Sequence, residues 1–265
     1  MSDADRIAEA ASAIAETRLL RQRLGVLPSS IRPRNLAESY RVQSAVHEVL
    51  AQTHIGSRIG YKIGCTTQVM QDYLGLPHPC HAGVFAGVVH QNGVSLTFGD
   101  FCHVGIECEI AVRIGSDLPP TGNLFTRESV EPAVAAYMAA IEIVDDRYLD
   151  WRKTDAPTLI ADDYFAAGAV LGPPVAAAHI ADAAGLVGVT EINGHEVGRG
   201  RGSDVMGHPL NALAWLTNSL AEAGAHLKAG EIVLTGSLVE TKWLARGDKA
   251  SVTVEGLGTV TLSVV

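Results

Sequence analysis

The chain has 265 residues, of which 47% are hydrophobic and 18% are charged, and this composition excludes a predominantly disordered protein. Its 20 basic and 29 acidic side chains give a formal charge of −9, so neither nucleic acid nor an anionic membrane is an expected partner. The N-terminal segment has early acidic residues and no continuous apolar run, unlike a signal peptide, and the four cysteines form no C-x-x-C pair. We therefore expect a cytoplasmic protein without a membrane span.

The first 55 residues are predicted to form a helical arm ahead of a main domain that covers residues 56–265. Apolar side chains recur at helical spacing between Ile7 and Ile14, which indicates an amphipathic helix. A second helix is predicted after Asn35, because Asn35 and Glu38 have the spacing of a capping box. A chain of this length accommodates one large domain with such an appendage.

Beyond the arm, the hydrophobic pattern becomes short and strand-like. Residues 58–64 and 106–114 are predicted strands, and the chain ends in a predicted hairpin with its turn at 255–258. Helices are predicted over residues 127–139 and 209–223. Because these helices do not alternate regularly with the strands, the order of elements favours a mixed β core with a few helices over a doubly wound sheet.

Three glutamates embedded among apolar residues are the sharpest functional signal in the sequence. Residues two apart on a strand share a face and lie about 6–7 Å apart, so Glu107 and Glu109 are expected to point the same way. Glu142 lies between Ile141 and Ile143 in a second apolar segment. Buried carboxylates are costly unless they are paired or ligate a cation, and oxygen ligands favour Mg²⁺ or Mn²⁺. The alternative is that these glutamates lie on half-exposed strands and pair with Arg or Lys.

Further motifs accompany the glutamates in a defined order along the chain. They are Tyr61-Lys-Ile-Gly-Cys-Thr66, Gly105-Ile-Glu-Cys-Glu-Ile-Ala111, Ala140-Ile-Glu-Ile-Val-Asp-Asp-Arg147, Ala161-Asp-Asp163, Gly200-Arg-Gly-Ser-Asp-Val-Met-Gly-His-Pro-Leu-Asn-Ala212 and Ile232-Val-Leu-Thr-Gly-Ser237. This ordered set resembles the 2-keto-4-pentenoate hydratase and 4-oxalocrotonate decarboxylase family of the fumarylacetoacetate hydrolase superfamily. The resemblance extends from about residue 35 to the C-terminus.

The resemblance implies a fold, a metal site and a substrate class. The fold would be α+β, with a mixed β-roll core of the fumarylacetoacetate hydrolase C-terminal-domain type, an N-terminal helical arm and assembly into a homo-oligomer. Glu107, Glu109 and Glu142 would hold Mg²⁺ or Mn²⁺, and Lys62 would lie beside the metal as a catalytic residue. The substrate would be a short 2-oxo or 2-hydroxy dienoic acid of the kind formed in meta-cleavage of aromatic compounds.

This chemistry predicts a metal-dependent hydro-lyase. A 2-oxo acid can chelate one divalent ion, which stabilises the enolate formed when dienol and ketone interconvert, and water can then add to the conjugated system. Lys62 could exchange a proton, since a neighbouring cation depresses a lysine pKa, or could hold the substrate carboxylate. The alternatives are a 2-oxo-3-enedioate decarboxylase, which needs a cationic pocket for a second carboxylate, an acylpyruvate C–C hydrolase, and a non-catalytic 2-oxo-acid-binding protein.

Two segments depart from the family pattern and bear on the substrate. Cys80 stands where the resemblance places an acid, and His81 is the candidate to replace it as a catalytic proton carrier, with an ordinary loop histidine as the alternative. Asp163 and Phe165 lie where the family has Asn and small serines, and we expect both to contact substrate. The apolar wall predicts a bulkier or less charged substrate tail, because Asp163 would repel an anionic tail unless it is paired.

The segment Thr235-Gly-Ser237 follows an apolar predicted strand. By the resemblance, Thr235 and Ser237 are candidate contacts for the substrate carboxylate. A purely structural turn is the alternative for the same residues.

Overall fold

Two β-sheets form the centre of the molecule in the computed structural model, which describes residues 2–265. The strands in chain order are β1 (Arg58–Gly64), β2 (Cys80–Phe85), β3 (Val89–Gln91), β4 (Val94–Leu96), β5 (Val104–Ile114), β6 (Val134–Asp145), β7 (Ala166–Leu171), β8 (Val175–Ala176), β9 (Val187–Ile192), β10 (His195–Arg201), β11 (Ile232–Trp243), β12 (Lys249–Val254) and β13 (Gly258–Val264). The larger sheet has the order β2-β1-β11-β5-β6-β7-β3, with β8 paired to β6, and the smaller has the order β10-β9-β12-β13-β4.

Six α-helices lie outside these sheets in the described part of the chain. They are α1 (Asp3–Leu19), α2 (Leu36–Leu50), α3 (Gln68–Leu74), α4 (Arg127–Val130), α5 (Ala156–Ala161) and α6 (Pro209–Glu222). Among the helices of residues 2–265, none combines the length and the apolar character needed to cross a bilayer.

Both sheets combine parallel and antiparallel pairs. β1 with β11, β3 with β7 and β13 with β4 are parallel, and the remaining pairs are antiparallel. The predicted C-terminal hairpin is present as β12 and β13, with Val252 directly opposite Val260. The mixed sheets with few helices confirm the predicted α+β class with a mixed β core.

The N-terminal helices pack on one another and on the main sheet. Asn35 caps α2, since its side chain accepts the Glu38 N–H at 2.9 Å, as the spacing predicts. Ile14 of α1 and Val46 of α2 share a buried apolar cluster with Leu159 of α5. The helical arm therefore shares one buried cluster with residues of the main domain, and the predicted boundary at residue 55 stays a prediction.

The predicted helix over residues 127–139 is wrong. Helix α4 ends at Val130, a single 3-10 turn follows, and β6 begins at Val134. Pro132 lacks the N–H that a continuing helix needs. From Ala136 onward every residue of β6 is buried, because β6 lies between β5 and β7 with both faces covered. Burial in the sheet outweighs the helical preference of its alanines.

Candidate active site

The three predicted glutamates meet on one face of the larger sheet. Glu107 of β5 lies directly opposite Glu142 of β6, and Glu109 is two residues further along β5. One carboxylate oxygen from each residue lies within 4.8 Å of the others. The intervening Cys108 packs into the core on the opposite face, as the alternation predicts. Strand register therefore brings together three side chains that are up to 35 positions apart in sequence.

Burial and missing partners make this cluster suitable for a cation. Glu109 and Glu142 are 0% and 1% exposed. Within residues 2–265, Glu109 Oε1 and Glu142 Oε2 accept no hydrogen bond, and Glu142 Oε1 has only the ion contact with Lys62 Nζ at 2.8 Å. The other oxygen of Glu109 accepts the Gly236 N–H at 2.8 Å. Several buried carboxylate oxygens without donors are costly, and an all-oxygen set of this kind fits a hard divalent ion such as Mg²⁺ or Mn²⁺.

The same environment favours protonation of the cluster when no metal is bound. Burial, reinforced by Glu142 and Glu107, raises the pKa of Glu109 well above its ordinary value. Burial also raises the pKa of Glu142 to about 7, although Lys62 opposes this shift. A divalent ion that binds here therefore competes with protons near neutral pH.

This competition predicts a pH dependence. The folded-state pKa of Glu142, about 7, exceeds its ordinary value of 4.5, so the metal-free protein is stabilised below pH 4.5 and loses this stabilisation as the pH rises through about 7. Binding of Mg²⁺ is expected to release protons and to tighten between pH 6 and 8. Calorimetric titration at pH 6.5 in two buffers of different ionisation enthalpy measures the release. Equal binding enthalpies in the two buffers would contradict it.

Lys62 contacts the cluster from the neighbouring part of the sheet. In the register, Lys62 lies opposite Leu234, and Leu234 lies opposite Ala111, so Lys62 shares the face of the glutamates. Its Nζ is 2.8 Å from Glu142 Oε1 and donates a hydrogen bond to the Tyr164 carbonyl at 2.6 Å. The structure thus brings Lys62 and the glutamates together.

The protonation state of Lys62 depends on these neighbours. Burial lowers the pKa of Lys62, but the negative charges of Glu142 and Glu107 outweigh burial and hold the pKa above its ordinary value. The side chain is therefore an ammonium in the metal-free protein. The sequence analysis predicted a depressed pKa for Lys62, and this depression would require the positive charge of a divalent ion bound beside it.

A cavity of about 460 Å³ opens beside Lys62 and Glu107. Most of the remaining lining is apolar or aromatic and includes Met70, Val144, Trp151, Tyr164, Phe165 and Trp243. Phe165 makes edge-on contacts with Trp151 and Tyr148, at ring-centroid distances of 5.9 and 5.1 Å. The predicted apolar wall at Phe165 therefore lines this cavity.

Three consecutive residues beside the cavity have left-handed backbone conformations. Asp163, Tyr164 and Phe165 have φ values of 58°, 43° and 65°. Such conformations are strained for residues other than glycine and persist only where the surroundings enforce them. Here they turn the Tyr164 carbonyl toward Lys62 and the Phe165 ring into the cavity wall.

Asp163 anchors this turn and does not line the cavity. Its carboxylate accepts hydrogen bonds from the Arg18 guanidinium and the Gly83 N–H, both at 2.9 Å, and lies 2.7 Å from His47 Nε2. Burial raises the pKa of Asp163, but the neighbouring His47 and Arg18 outweigh it and lower the pKa below its ordinary value. The structure does not bring Asp163 to the cavity lining, and the pairing removes the predicted repulsion of a substrate tail.

Substituting Asp163→Asn is expected to destabilise the protein strongly. The side chains of Arg18 and Asp163 are 7% and 0% exposed, and breaking such a buried ion pair costs about 3–5 kcal/mol. Urea unfolding measures the change in the free energy of unfolding. Glu196→Gln is the matched control, because Glu196 pairs with Arg199 on the exposed surface and its loss is expected to have no measurable effect. Equal effects of the two substitutions would contradict the anchoring role.

His81 lies on the opposite face of the sheet from Lys62. In the β1–β2 register, His81 is opposite Ile63, whereas Lys62 is opposite Ala82. The imidazole stacks on Tyr40 with ring centroids 4.2 Å apart, and it is absent from the cavity lining drawn from residues 2–265. Burial, with a further contribution from His47, lowers the pKa of His81 to about 3. The structure does not bring His81 to the candidate site as a proton carrier.

The two hydroxyls of the 235–237 segment have different surroundings. Thr235 is fully buried and donates its hydroxyl hydrogen bond to the Ile110 carbonyl at 2.7 Å. Ser237 lines the cavity, while its hydroxyl donates to the Val239 carbonyl. The structure brings Ser237 to the cavity but leaves Thr235 in the sheet interior.

Several contributing residues were not singled out from the sequence. Gly236 has a φ of 126° at a bulge in β11, and this bulge directs its N–H away from the strand ladder to Glu109. A Cβ at Gly236 would approach Thr66 Cγ2 to 2.7 Å, so the position requires glycine. Thr241 donates a hydrogen bond to Glu107. A glycine inside an apolar strand was the available signal for the bulge.

Comparison with known proteins gives the family of this fold and site. Residues 82–265 match the family described as fumarylacetoacetate (FAA) hydrolase C-terminal. The chain is 32% identical over 265 aligned residues to a 2-keto-4-pentenoate hydratase of Paraburkholderia phymatum, with 99% of each chain covered. It is 34% identical over 221 residues to a 2-hydroxyhexa-2,4-dienoate hydratase of Comamonas testosteroni, covering 82% of this chain and 83% of that one.

A solved structure agrees with the sequence relatives. The 4-oxalocrotonate decarboxylase from Pseudomonas putida G7, complexed with magnesium and adipate, has a TM-score of 0.92 and 26% identity to this chain. The alignment covers 100% of this chain and 99% of that one. The chain belongs to the fumarylacetoacetate hydrolase C-terminal family, in the group that contains the 2-keto-4-pentenoate hydratases and 4-oxalocrotonate decarboxylases.

Proposed function

We propose that the chain is a metal-dependent hydro-lyase that adds water to a 2-hydroxy-2,4-dienoate or its 2-oxo tautomer in the meta-cleavage catabolism of aromatic compounds. The observation that carries this proposal is the buried glutamate cluster with Lys62 beside it, at the edge of a largely apolar cavity. The names of the hydratase relatives support the reaction.

Glu107, Glu109 and Glu142 would hold the divalent ion, and the buried oxygens Glu109 Oε1 and Glu142 Oε2, which accept no hydrogen bond, fit this role. A bound Mg²⁺ or Mn²⁺ supplies Lewis acidity that stabilises the enolate of a chelated 2-oxo acid. Lys62, held by Glu142 and the Tyr164 carbonyl, presents an ammonium to the cavity. There it can attract the substrate carboxylate and donate a proton to the substrate. The apolar walls restrict water around the reacting atoms, which strengthens these charge interactions.

The charges of the cavity favour a substrate with one carboxylate. Among the lining residues of the described chain, Lys62 is the only cation, whereas Asp204 and Glu240 add negative charge. A 2-oxo-enedioate, the substrate class of the alternative decarboxylase, carries a second carboxylate that needs its own cation. Instead of a second cation, the described cavity lining presents carboxylates and aromatic rings to this second carboxylate. These features support the hydratase over the decarboxylase.

The reaction is tested by presenting both substrate classes to the metal-loaded protein and weighing the products. Freshly generated 2-hydroxypenta-2,4-dienoate is expected to gain the mass of one water. The matched dicarboxylate is expected to turn over poorly. Faster turnover of the dicarboxylate, with loss of CO₂, would establish the decarboxylase instead. Turnover of neither compound would contradict the proposal.

The aromatic wall predicts a selectivity for the substrate tail. Replacing Phe165 with alanine removes an apolar surface from the cavity while Trp151 remains. We expect KM for 2-hydroxyhexa-2,4-dienoate, which has one more carbon, to rise about tenfold, with a smaller change for the pentadienoate. Steady-state kinetics with the two substrates measures the difference, and the short substrate serves as the internal control. An equal change in both KM values would show that Phe165 does not contact the tail.

Assembly and location extend this proposal. We propose a homo-oligomer and a cytoplasmic location, as the resemblance and the composition predict. Light scattering coupled to size exclusion gives the number of chains, and a monomeric mass would contradict the assembly.

A further inference from the structure

Two cysteine thiols lie against each other at the cavity wall, and the proposed reaction uses neither. Cys65 Sγ and Cys80 Sγ are 3.9 Å apart. Cys80 is opposite Gly64 in the β1–β2 register, and Cys65 is the next residue after Gly64. A Cβ on Gly64 would approach the Cys80 sulfur to 3.3 Å, so the absence of a side chain there leaves room for the thiol pair.

The two thiols differ in access and in chemical environment. Cys65 lines the cavity and is 8% exposed, whereas Cys80 is 1% exposed behind it. The hydrogen bond from Cys80, with the charge of Lys62, lowers the pKa of Cys65 despite its burial. The same contact and burial raise the pKa of Cys80 well above its ordinary value. This combination of a cavity-lining, more acidic thiol and a second thiol buried outside the lining is typical of an attacking and a resolving cysteine.

The other two cysteines lack this arrangement. Cys108 is buried on the core face of β5, and burial raises its pKa to about 12. The thiol of Cys102 contacts the Arg21 carbonyl at 3.5 Å. In the part of the chain that the structure describes, neither thiol is hydrogen-bonded to a second cysteine. The pair at 65 and 80 is therefore distinct in the molecule.

We propose that Cys65 and Cys80 form a reversible disulfide when a hydroperoxide enters the cavity, and that this modification lowers the activity of the site. The Cys65 thiolate attacks the outer oxygen of the hydroperoxide, the O–O bond breaks, and an alcohol leaves with a proton. The Cys80 thiol then displaces hydroxide from the Cys65 sulfenic acid, and water leaves as the S–S bond forms. Two thiols are oxidised by two electrons and the peroxide is reduced by two.

The effect on activity follows from where the bond forms and rests on the proposed function. A disulfide bond of about 2.05 Å requires the two sulfurs to move about 2 Å closer. Cys65 has a left-handed φ of 55° immediately after β1, so this displacement falls on the segment between Lys62 and the cavity-lining Thr66. A misplacement of about 1 Å in a catalytic site can cost about 10²-fold in rate.

Peptide mass analysis of the peroxide-treated, metal-loaded protein tests the modification without reference to activity. Trypsin leaves all four cysteines in the one peptide of residues 63–113, so a protease that cleaves after aromatic residues is needed to separate Cys65 from Cys80 and both from the other two. After blocking of remaining thiols, we expect the peptides of Cys65 and Cys80 to be joined with the loss of two hydrogens. Dithiothreitol is expected to separate them.

Two variants complete the test. Cys102→Ser is expected to form the same disulfide, and Cys80→Ser is expected to form none. Peroxide is expected to lower wild-type turnover about 10²-fold, and dithiothreitol is expected to restore it. In Cys80→Ser the Cys65 sulfenic acid has no resolving thiol, so excess peroxide is expected to oxidise Cys65 to a sulfinic acid, and dithiothreitol is not expected to restore turnover. Thiols of Cys65 and Cys80 that remain separately blocked, or are oxidised only to sulfinic acids, would overturn the proposal. A disulfide without loss of turnover would overturn the regulatory part of the proposal. An untreated protein without hydratase activity would contradict the proposed function, whereas the peptide analysis would still test the disulfide.

Discussion

Glu109→Gln is expected to abolish divalent-ion binding and to reduce hydration to an undetectable rate. The substitution keeps the shape of the side chain and the acceptor for the Gly236 N–H, but it removes one of three charged ligands. Neutral amides are weak ligands for Mg²⁺ compared with carboxylates. Calorimetric titration with Mg²⁺ and the dienol absorbance assay measure the two losses separately.

The same variant is expected to be more stable than the wild type when both are free of metal. At pH 8 the metal-free wild type buries clustered carboxylates that either repel one another as anions or stay protonated above their ordinary pKa, and the Lys62 ammonium offsets only part of this cost. Replacing one of them with a neutral amide is expected to stabilise the fold by about 1–4 kcal/mol. Thermal unfolding with and without Mg²⁺ tests this, since only the wild type is expected to gain stability from the ion.

Glu222→Gln is the matched control for both effects. Glu222 is exposed at the end of α6, so its substitution is expected to leave ion binding, turnover and melting temperature unchanged. Retention of Mg²⁺ binding by Glu109→Gln, or a metal-free variant less stable than the wild type, would contradict the assigned ligand role.

Lys62→Met is expected to separate catalysis from metal binding. The ammonium of Lys62 lies 2.8 Å from Glu142, where it offsets part of the negative charge that a divalent ion would use. Its removal is therefore expected to preserve or tighten Mg²⁺ binding. The hydration rate is expected to fall by about 10²–10⁴-fold, the usual contribution of a positioned proton donor.

Kinetics and calorimetry on the same preparation provide the comparison. Lys249→Met, at an exposed position on the smaller sheet, controls for the loss of a positive charge. A Lys62→Met variant that loses Mg²⁺ binding along with turnover would assign Lys62 a structural role at the cluster. Unchanged turnover would exclude Lys62 from the reaction.

The metal cluster could be predicted because its determinants are local. Alternation along residues 106–114 places Glu107 and Glu109 on one face, and Glu142 stands out because a carboxylate between isoleucines is costly to bury. Only the β5–β6 register, which depends on contacts distant in sequence, places Glu142 directly opposite Glu107. The family resemblance implied that the three glutamates share one metal ion, but it did not predict this register.

Other parts of the fold depend on context that the sequence pattern does not contain. The alanines of β6 favour a helix locally, but burial on both faces of the sheet makes the segment a strand. The left-handed turn at Asp163 has no glycine to mark it, and Arg18, 145 positions away, forms part of its anchor. His81 was assigned to the site from its chemistry, whereas the strand alternation directs it to the opposite face.

The most direct test of the account is the hydration rate of 2-hydroxypenta-2,4-dienoate as metal-stripped protein is titrated with Mg²⁺. We predict no turnover without the ion and a rate that rises with ion bound and saturates at one ion per chain. The product is expected to be heavier than the substrate by one water. Full turnover by the stripped protein, or a rate unrelated to bound ion, would contradict the claim that Glu107, Glu109 and Glu142 hold the ion on which hydration depends.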